Sequence, residues 1–311
     1  MAAIFAASAG AETLLLERTP DGGRKILISG GGRCNILPAR LDESRFVTDS
    51  SPNTLRKIVR SWPLNEQVAF FEGELGLPLE EEEESAKLFP VSNRARDVRD
   101  GLLALATRRG ARLLMSTRVT GFAPQAGRWR VDRAEDPPLE ADAVIVATGG
   151  LSVPQTGSDG LGLRVLQGLG HSVHPTYAAL TPVTSEPAPF ATLAGVSLTV
   201  TITARDAERS ATATGGFLFT HRGYSGPAVL DVSHVLVRSA AGSTPARLLV
   251  RWTALDEKAW DAALLPDGTR TVLSAVRDEL PERLAAALIG VAGVDQERRL
   301  AQLRREERLR L

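Results

Sequence analysis

Fourteen consecutive residues, GGRKILISGGGRCN at positions 22–35, constrain this chain more than any others. They hold five glycines, the cations Arg24, Lys25 and Arg33, and the chain's one cysteine, Cys34. Glycine admits positive φ and lets backbone come close to a ligand, at an entropic cost. Bare N–H groups beside guanidinium and ammonium donors are a usual protein answer to phosphate. The competing reading is a glycine-rich surface loop with scattered charge, and the flanking sequence favours the ligand.

Residues 1–9, MAAIFAASA, are small, apolar and helix-favouring, with Gly10 placed to end the helix. TLLLE at 13–17 is a short apolar run suited to a buried parallel strand, and it ends on Glu17. Helix, glycine, strand and terminal acid match the second half of a βαβ dinucleotide-binding unit, where the acid receives ribose hydroxyls. Alternatively, Glu17 merely ends a strand. The unit's first strand and G-x-G-x-x-G turn would stand ahead of Met1, so the expectation is of a chain that starts late. Two strands would then have open edges, and the phosphate-binding helix terminus would be blunted.

Beyond the glycine-rich block, helices are expected over 52–60 and 63–73, and the acid run Glu80 to Glu84 reads as a solvated turn or edge. Asn93 is expected to cap a helix reaching 109, with Val98, Leu102, Leu105 and Ala106 turned inward. A small β-meander follows near 112–132. ADAVIVATGG then predicts a buried strand at 143–147 and a turn at 148–150 that lets backbone approach a ligand. Asp159 caps a short helix over 160–169. From 183 the pattern becomes β-rich, with strands near 197–204, 216–220 and 246–252 and a helix over 228–237. From 256 the chain reads as helical.

Lys+Arg and Asp+Glu both total 37, so no global charge points to nucleic acid or an anionic membrane, and neither partner is expected. Lysine occurs only at 25, 57, 87 and 258, which reads as codon bias. A single cysteine excludes an internal disulfide framework and a cysteine-based metal site. His171, His174 and His234 lack metal spacing with carboxylates, so no metal is assigned. His221 in FTHRGYSGP is weighed as an acid or base toward substrate, with a turn-ordering role favoured. No apolar run nears the roughly 20 residues that span a bilayer, and the N-terminus lacks a charged n-region, so the expected compartment is the cytoplasm.

Taken in order, AAIFAASAGAETLLLE, GRKILISGGGRCN, LFPVSNRARDV, ADAVIVATGGLSVPQTGSDGLG, LAGVS and LFTHRGYSGPAVL resemble one family. It is the BaiN/YhiN-type, aminoacetone-oxidase-like FAD-dependent flavoproteins. The resemblance runs from Met1 to about Leu230, and the 22–35 block is its most specific part. It implies an α/β fold: a two-dinucleotide-binding, Rossmann-like FAD domain over 1–182, an inserted β-barrel-like domain over 183–254 and a helical domain over 255–311.

Carried over by motif, Glu17 would hold the adenosine ribose. Arg24, Lys25 and the loop Ser29, Gly30, Gly31, Gly32, Arg33, Cys34 and Asn35 would line the FAD. Val119 would flank the adenine, and Ala147, Thr148, Gly149 and Gly150 would close over the cofactor. For Cys34, a packing role is favoured over a redox one. The implied activity is FAD-dependent oxidation or reduction of a small organic substrate, with NAD(P)H a candidate electron donor. The family's first strand and its closing glycine-rich segment have no counterpart here, so a chain truncated at both ends is expected. A flavin-free remnant serving as an interaction module is the alternative. A Rossmann-type nucleotide binder of another class is a third reading, against which the SGGGRCN block argues.

Overall fold

The computed structural model describes residues 1–311 except 49, 84, 241–244 and 266–268, so Glu84 of the acid run lies outside the described residues. The chain divides into two compact units, Met1–His174 and Pro175–Leu311.

In the first unit, α1 (Ala2–Ser8) leads to β1 (Leu14–Leu16), α2 (Arg24–Ile28), β2 (Leu37–Pro38), α3 (Pro52–Arg60) and α4 (Leu64–Ala69). Then come β3 (Leu79–Glu82), β4 (Lys87–Pro90), α5 (Ala95–Arg108), β5 (Arg112–Leu114), β6 (Val119–Gln125), β7 (Arg128–Arg133), β8 (Leu139–Ala141) and α6 (Leu161–Gly168). β1 pairs in parallel with β5, Leu14 opposite Arg112 and Leu16 opposite Leu114. The stripe expected on α5 is present: Val98, Leu105 and Ala106 are buried with Ala3 and Ile4 of α1 and with Phe70 and Phe71, and Leu102 packs against them. Glu80 to Glu82 of the acid run lie in β3, an edge strand of the sheet ordered β2-β4-β3.

Four local expectations are corrected. The loop expected at Ser29–Asn35 opens with a 3-10 turn over Ser29–Gly32, and a short helix, Arg24–Ile28, precedes it. Asn93 does not cap α5; it takes φ 52, a left-handed conformation that asparagine tolerates, and Arg94 stands at the cap without a side-chain bond. The strand expected from 113 onward breaks at Ser116, φ 53, so β5 and β6 enter different sheets. Residues 143–147 are neither strand nor buried, and Ile145 is 64% exposed. A strand exists only by its ladder, and among the described residues the parallel sheet contains β1 and β5 alone. Apolar composition did not supply the missing neighbour.

The second unit holds β9 (Val183–Thr184), β10 (Ser197–Arg205), β11 (Ser210–Thr220), β12 (Gly223–Ser225), α7 (Pro227–Ser239) and β13 (Arg247–Arg251). The helices α8 (Glu257–Ala263), α9 (Val272–Val276), α10 (Glu282–Val291) and α11 (Arg305–Arg308) follow. The strands form one antiparallel sheet ordered β13-β10-β11-β12-β9. Period-2 alternation on β10 buries Val200, Ile202 and Ala204 in one core with Val229, Val232 and Val235 of α7. Each of these valines and the isoleucine contributes about 1.5–3 kcal/mol by burial. Pro227 sits at the start of α7, where its missing N–H is not needed. Leu264, Val272, Leu284, Ile289 and Leu300 join the same core, so residues 183–254 and 255–311 share one interior. No helix of the described residues is long and apolar enough to cross a membrane.

Candidate functional site

β1 delivers Glu17 to the point where the chain turns back. The Glu17 N–H donates to the Leu114 carbonyl and its own carbonyl accepts from Thr117 N–H, so the acid is fixed by the 114–117 backbone. Its Oε1 accepts from the Thr19 N–H at 2.8 Å and from Thr19 Oγ1 at 2.7 Å. Oε2 has no bond among the described residues. Val119 opens β6 two residues beyond Thr117, at an irregularity in the β6–β7 register.

The turn that follows is held from beneath by Arg99 of α5. Its Nη1 donates to the Asp21 carbonyl at 3.0 Å and the Gly22 carbonyl at 3.3 Å, and its Nε pairs with Asp100. The guanidinium is buried, its side chain 8% exposed. The result is a fixed entry to α2, which presents Arg24 and Lys25. Arg24 pairs with Asp21 at 3.1 Å, and this bond holds the Asp21 carboxyl below the usual carboxylate range.

Lys25 makes the decisive long-range contact. Its Nζ donates to Ser152 Oγ at 3.0 Å, joining positions 127 residues apart. A Cβ built at Gly149, φ 74, would lie 2.8 Å from Ser158 Oγ and 3.8 Å from Lys25 Nζ. Gly162 is equally constrained, since a methyl there would strike Thr148 Oγ1 and come within 2.6 Å of Val146 Cγ1. Thus 146–152 lies directly on α6 only because α6 carries no side chain at that point. Arg18 completes the clasp, pairing with Asp159 at 2.8 Å and reaching the Gly157 carbonyl at 3.3 Å. Asp159 also accepts from the Leu161 N–H, which with Arg18 holds its carboxyl below the usual range despite desolvation.

The structure therefore brings Glu17, Gly22, Lys25, Thr148, Gly149 and Ser152 into one neighbourhood by a chain of contacts. Ala147 and Gly150 are exposed beside Thr148 and Gly149. The second half of the glycine block is placed differently. A Cβ at Gly30 would meet Phe89 at 2.8 Å and Asn35 N at 2.9 Å, so Gly30 is a packing glycine, whereas Gly31 faces open space. Arg33 pairs with Glu82 at 2.8 Å and lies over the Phe89 ring at 4.2 Å, so its guanidinium is engaged. Ser29 is half-buried and Asn35 exposed. Cys34 is buried in the α1–α5 core and burial pushes its thiol up, away from the thiolate.

Sequence reasoning missed Arg99, Ser152 and Ser158. The signal for the serines was present in SVPQTGSD at 152–159 but could not be tied to Lys25. Among the described residues no cluster of His, Cys, Asp and Glu could hold a metal.

Residues 1–232 match the family described as "HI0933-like protein Rossmann domain", and residues 177–311 match "HI0933-like protein barrel and H2TH domain". The α/β fold class with barrel and helical parts expected from the sequence is the one these descriptions name. A 3-dehydro-bile acid delta(4,6)-reductase of Clostridium scindens is 30% identical over 241 residues, 76% of this chain and 58% of its own length. A ribosomal RNA dihydrouridine synthase of Escherichia coli is 29% identical, covering 74% and 56% respectively. Its counterpart in Haemophilus influenzae is 33% identical, covering 68% and 52%. The chain spans just over half the length of these curated relatives. Among solved structures, the amino acid oxidase NikD aligns over 90% of this chain and 74% of its own at 14% identity. The TM-score is 0.27.

Proposed function

This chain belongs to the HI0933-like family, and on that footing we propose that it is an FAD-dependent oxidoreductase that adds hydrogen to an unsaturated ring. The family is the one that the 22–35 block points to. One observation carries the cofactor reading: Lys25 Nζ stands 3.0 Å from Ser152 Oγ, so the cation of one glycine-rich turn meets the hydroxyl of another. An ammonium, the Ser152 hydroxyl and side-chain-free backbone at Gly149 are a donor set for a diphosphate. Glu17, with Oε2 unpartnered among the described residues, is the acceptor that ribose hydroxyls require.

These residues fit an adenine dinucleotide, and a flavin in it supplies two-electron redox chemistry that side chains lack. In this reading Glu17 orients the ribose, Lys25 and Ser152 bind the diphosphate, and Thr148 to Gly150 form the wall on which the cofactor rests. Arg24, Ser29, Gly31, Gly32 and Asn35 line the same cofactor further along, while Gly30, Arg33 and Cys34 shape the support behind it. Val119 flanks the adenine through its backbone. The roles of the relatives, a reductase of a dehydro-bile acid and synthases of dihydrouridine, both denote hydrogenation of a ring. NAD(P)H is the proposed electron donor. A small organic molecule and an RNA base are both compatible with ring reduction.

The test is titration of the purified chain with FAD, followed by flavin absorbance and fluorescence quenching. A bound yellow complex is expected. Glu17→Ala and Lys25→Met should each weaken it about tenfold or more, the scale of one charge-assisted hydrogen bond. Unchanged affinity in either variant refutes the role assigned to that residue.

A further inference from the structure

Ser158 is 7% exposed, yet among the described residues its hydroxyl has no hydrogen-bond partner. A serine just ahead of a helix ordinarily gives its hydroxyl to the first turn. Here that task falls to Asp159, whose carboxylate takes the Leu161 N–H at 3.0 Å where α6 begins. Nor is the hydroxyl sealed in. The fully enclosed side-chain atoms without a partner among the described residues are His234 Nδ1 and Arg308 Nε, so Ser158 Oγ keeps some exposed surface. Ser239, also 7% exposed, shows the usual arrangement: its Oγ donates to the Leu236 carbonyl at 2.8 Å and accepts from the Ala246 N–H at 3.0 Å. An unmade bond at a packed hydroxyl costs stability and calls for a reason.

The hydroxyl is aimed at Gly149. The place that a Cβ on Gly149 would take lies 2.8 Å from Ser158 Oγ and 3.8 Å from Lys25 Nζ, so hydroxyl and ammonium converge on the same bare backbone. The chain from Ser152 to Asp159 is held in a way that brings this about. Lys25 fixes one end at Ser152, and Arg18 fixes the other at Asp159. Between them Val153 takes φ 48 and ψ 66, immediately before Pro154. A β-branched residue in the left-handed region is an outlier, and proline biases its predecessor toward extended backbone. The Val153 side chain is 44% exposed, so core packing does not impose the conformation. Its carbonyl accepts from the Thr156 N–H at 3.0 Å and from Thr156 Oγ1 at 2.7 Å, which locks the strained turn. Strain of this kind is kept where a ligand-binding geometry needs it.

We propose that Ser158 is a ligand-binding residue whose hydroxyl donates to a phosphoryl oxygen of the cofactor's diphosphate, beside Lys25 and Gly149. A non-bridging phosphoryl oxygen is an anionic acceptor, which makes the bond charge-assisted. The bond that the folded chain leaves unmade is then made on binding. A serine that merely filled space against Gly149 would need no hydroxyl, and alanine would serve equally. The inference rests on the adenine-dinucleotide reading and adds a specificity to it. Ser158 recognises the diphosphate and not the flavin ring, so it sets FAD and ADP apart from riboflavin.

Ser158→Ala and Ser239→Ala are compared with the unaltered full chain by titration with FAD, ADP and riboflavin and by urea unfolding. Ser158→Ala should bind FAD and ADP about tenfold or more weakly, the scale of one hydrogen bond to a charged group, with riboflavin affinity unchanged. Its urea midpoint should hold or rise, because no internal bond is lost. Ser239→Ala should do the reverse: a lower midpoint, since the Ala246 N–H loses its acceptor, and unchanged affinity for all three ligands. Unchanged FAD and ADP affinity in Ser158→Ala would overturn the assignment and leave the dinucleotide reading standing. A lowered midpoint in Ser158→Ala, or an equal loss of riboflavin affinity, would overturn it as well. Failure of the unaltered chain to bind FAD and ADP would sink the dinucleotide reading itself, and this assignment with it.

Discussion

Replacing Arg99 with methionine tests how the cofactor turn is held. The substitution keeps a long apolar stem but removes the donors that reach the Asp21 and Gly22 carbonyls at 3.0 and 3.3 Å. An unsatisfied buried carbonyl costs about 1–3 kcal/mol. Gly22 is buried and bears that cost in full, while Asp21 is exposed and recovers water. The lost pair with Asp100 adds little, because that carboxylate side chain is 56% exposed. The sum is about 1–3 kcal/mol, which at an m-value of about 2 kcal/mol/M lowers the urea midpoint by roughly 0.5–1.5 M. FAD affinity should fall with it, since residues 21–23 set the entry to α2 and so the position of Lys25. Arg99→Lys, which keeps charge and one donor head, should recover part of both losses. A methionine variant with an unshifted midpoint and unchanged FAD affinity would refute this account of the turn.

Two further outcomes follow from close contacts. Gly162→Ala places a methyl against Thr148 and Val146 and is expected to cost about 1–3 kcal/mol as overpacking; Gly168→Ala, with open space around it, should not destabilise α6, and equal denaturation midpoints would contradict the packing argument. Cys34 should resist iodoacetamide at neutral pH in the folded chain and react promptly once unfolded, because burial raises its thiol and shields it. The same shift makes stability decline as pH rises past the ordinary thiol pKa, where only the unfolded chain readily sheds the proton. Equal labelling rates in both states would show the thiol to be accessible.

What was legible in the sequence was whatever local pattern alone determines. The α5 stripe and the β10 alternation each follow from one period, and the 22–35 block identified the family through its own residues. Residues 143–147 misled because VIV composition marks a segment that could be a strand, while pairing depends on neighbours far away in sequence. Asn93 and Ser116 show the same limit at single residues: left-handed turns there end elements where the apolar pattern continues. Arg99 did not stand out, since nothing local shows that its head reaches carbonyls 77 and 78 residues earlier. The meeting of Lys25 with Ser152 was hidden for the same reason.

The account stands on Glu17 and the Lys25–Ser152 pair gripping the ribose and diphosphate of one dinucleotide. Competitive titration of FAD against riboflavin, which lacks both, measures that grip directly. Two charge-assisted contacts predict that FAD binds at least about a hundredfold more tightly. Equal affinity for the two flavins, or binding of neither, would contradict the account.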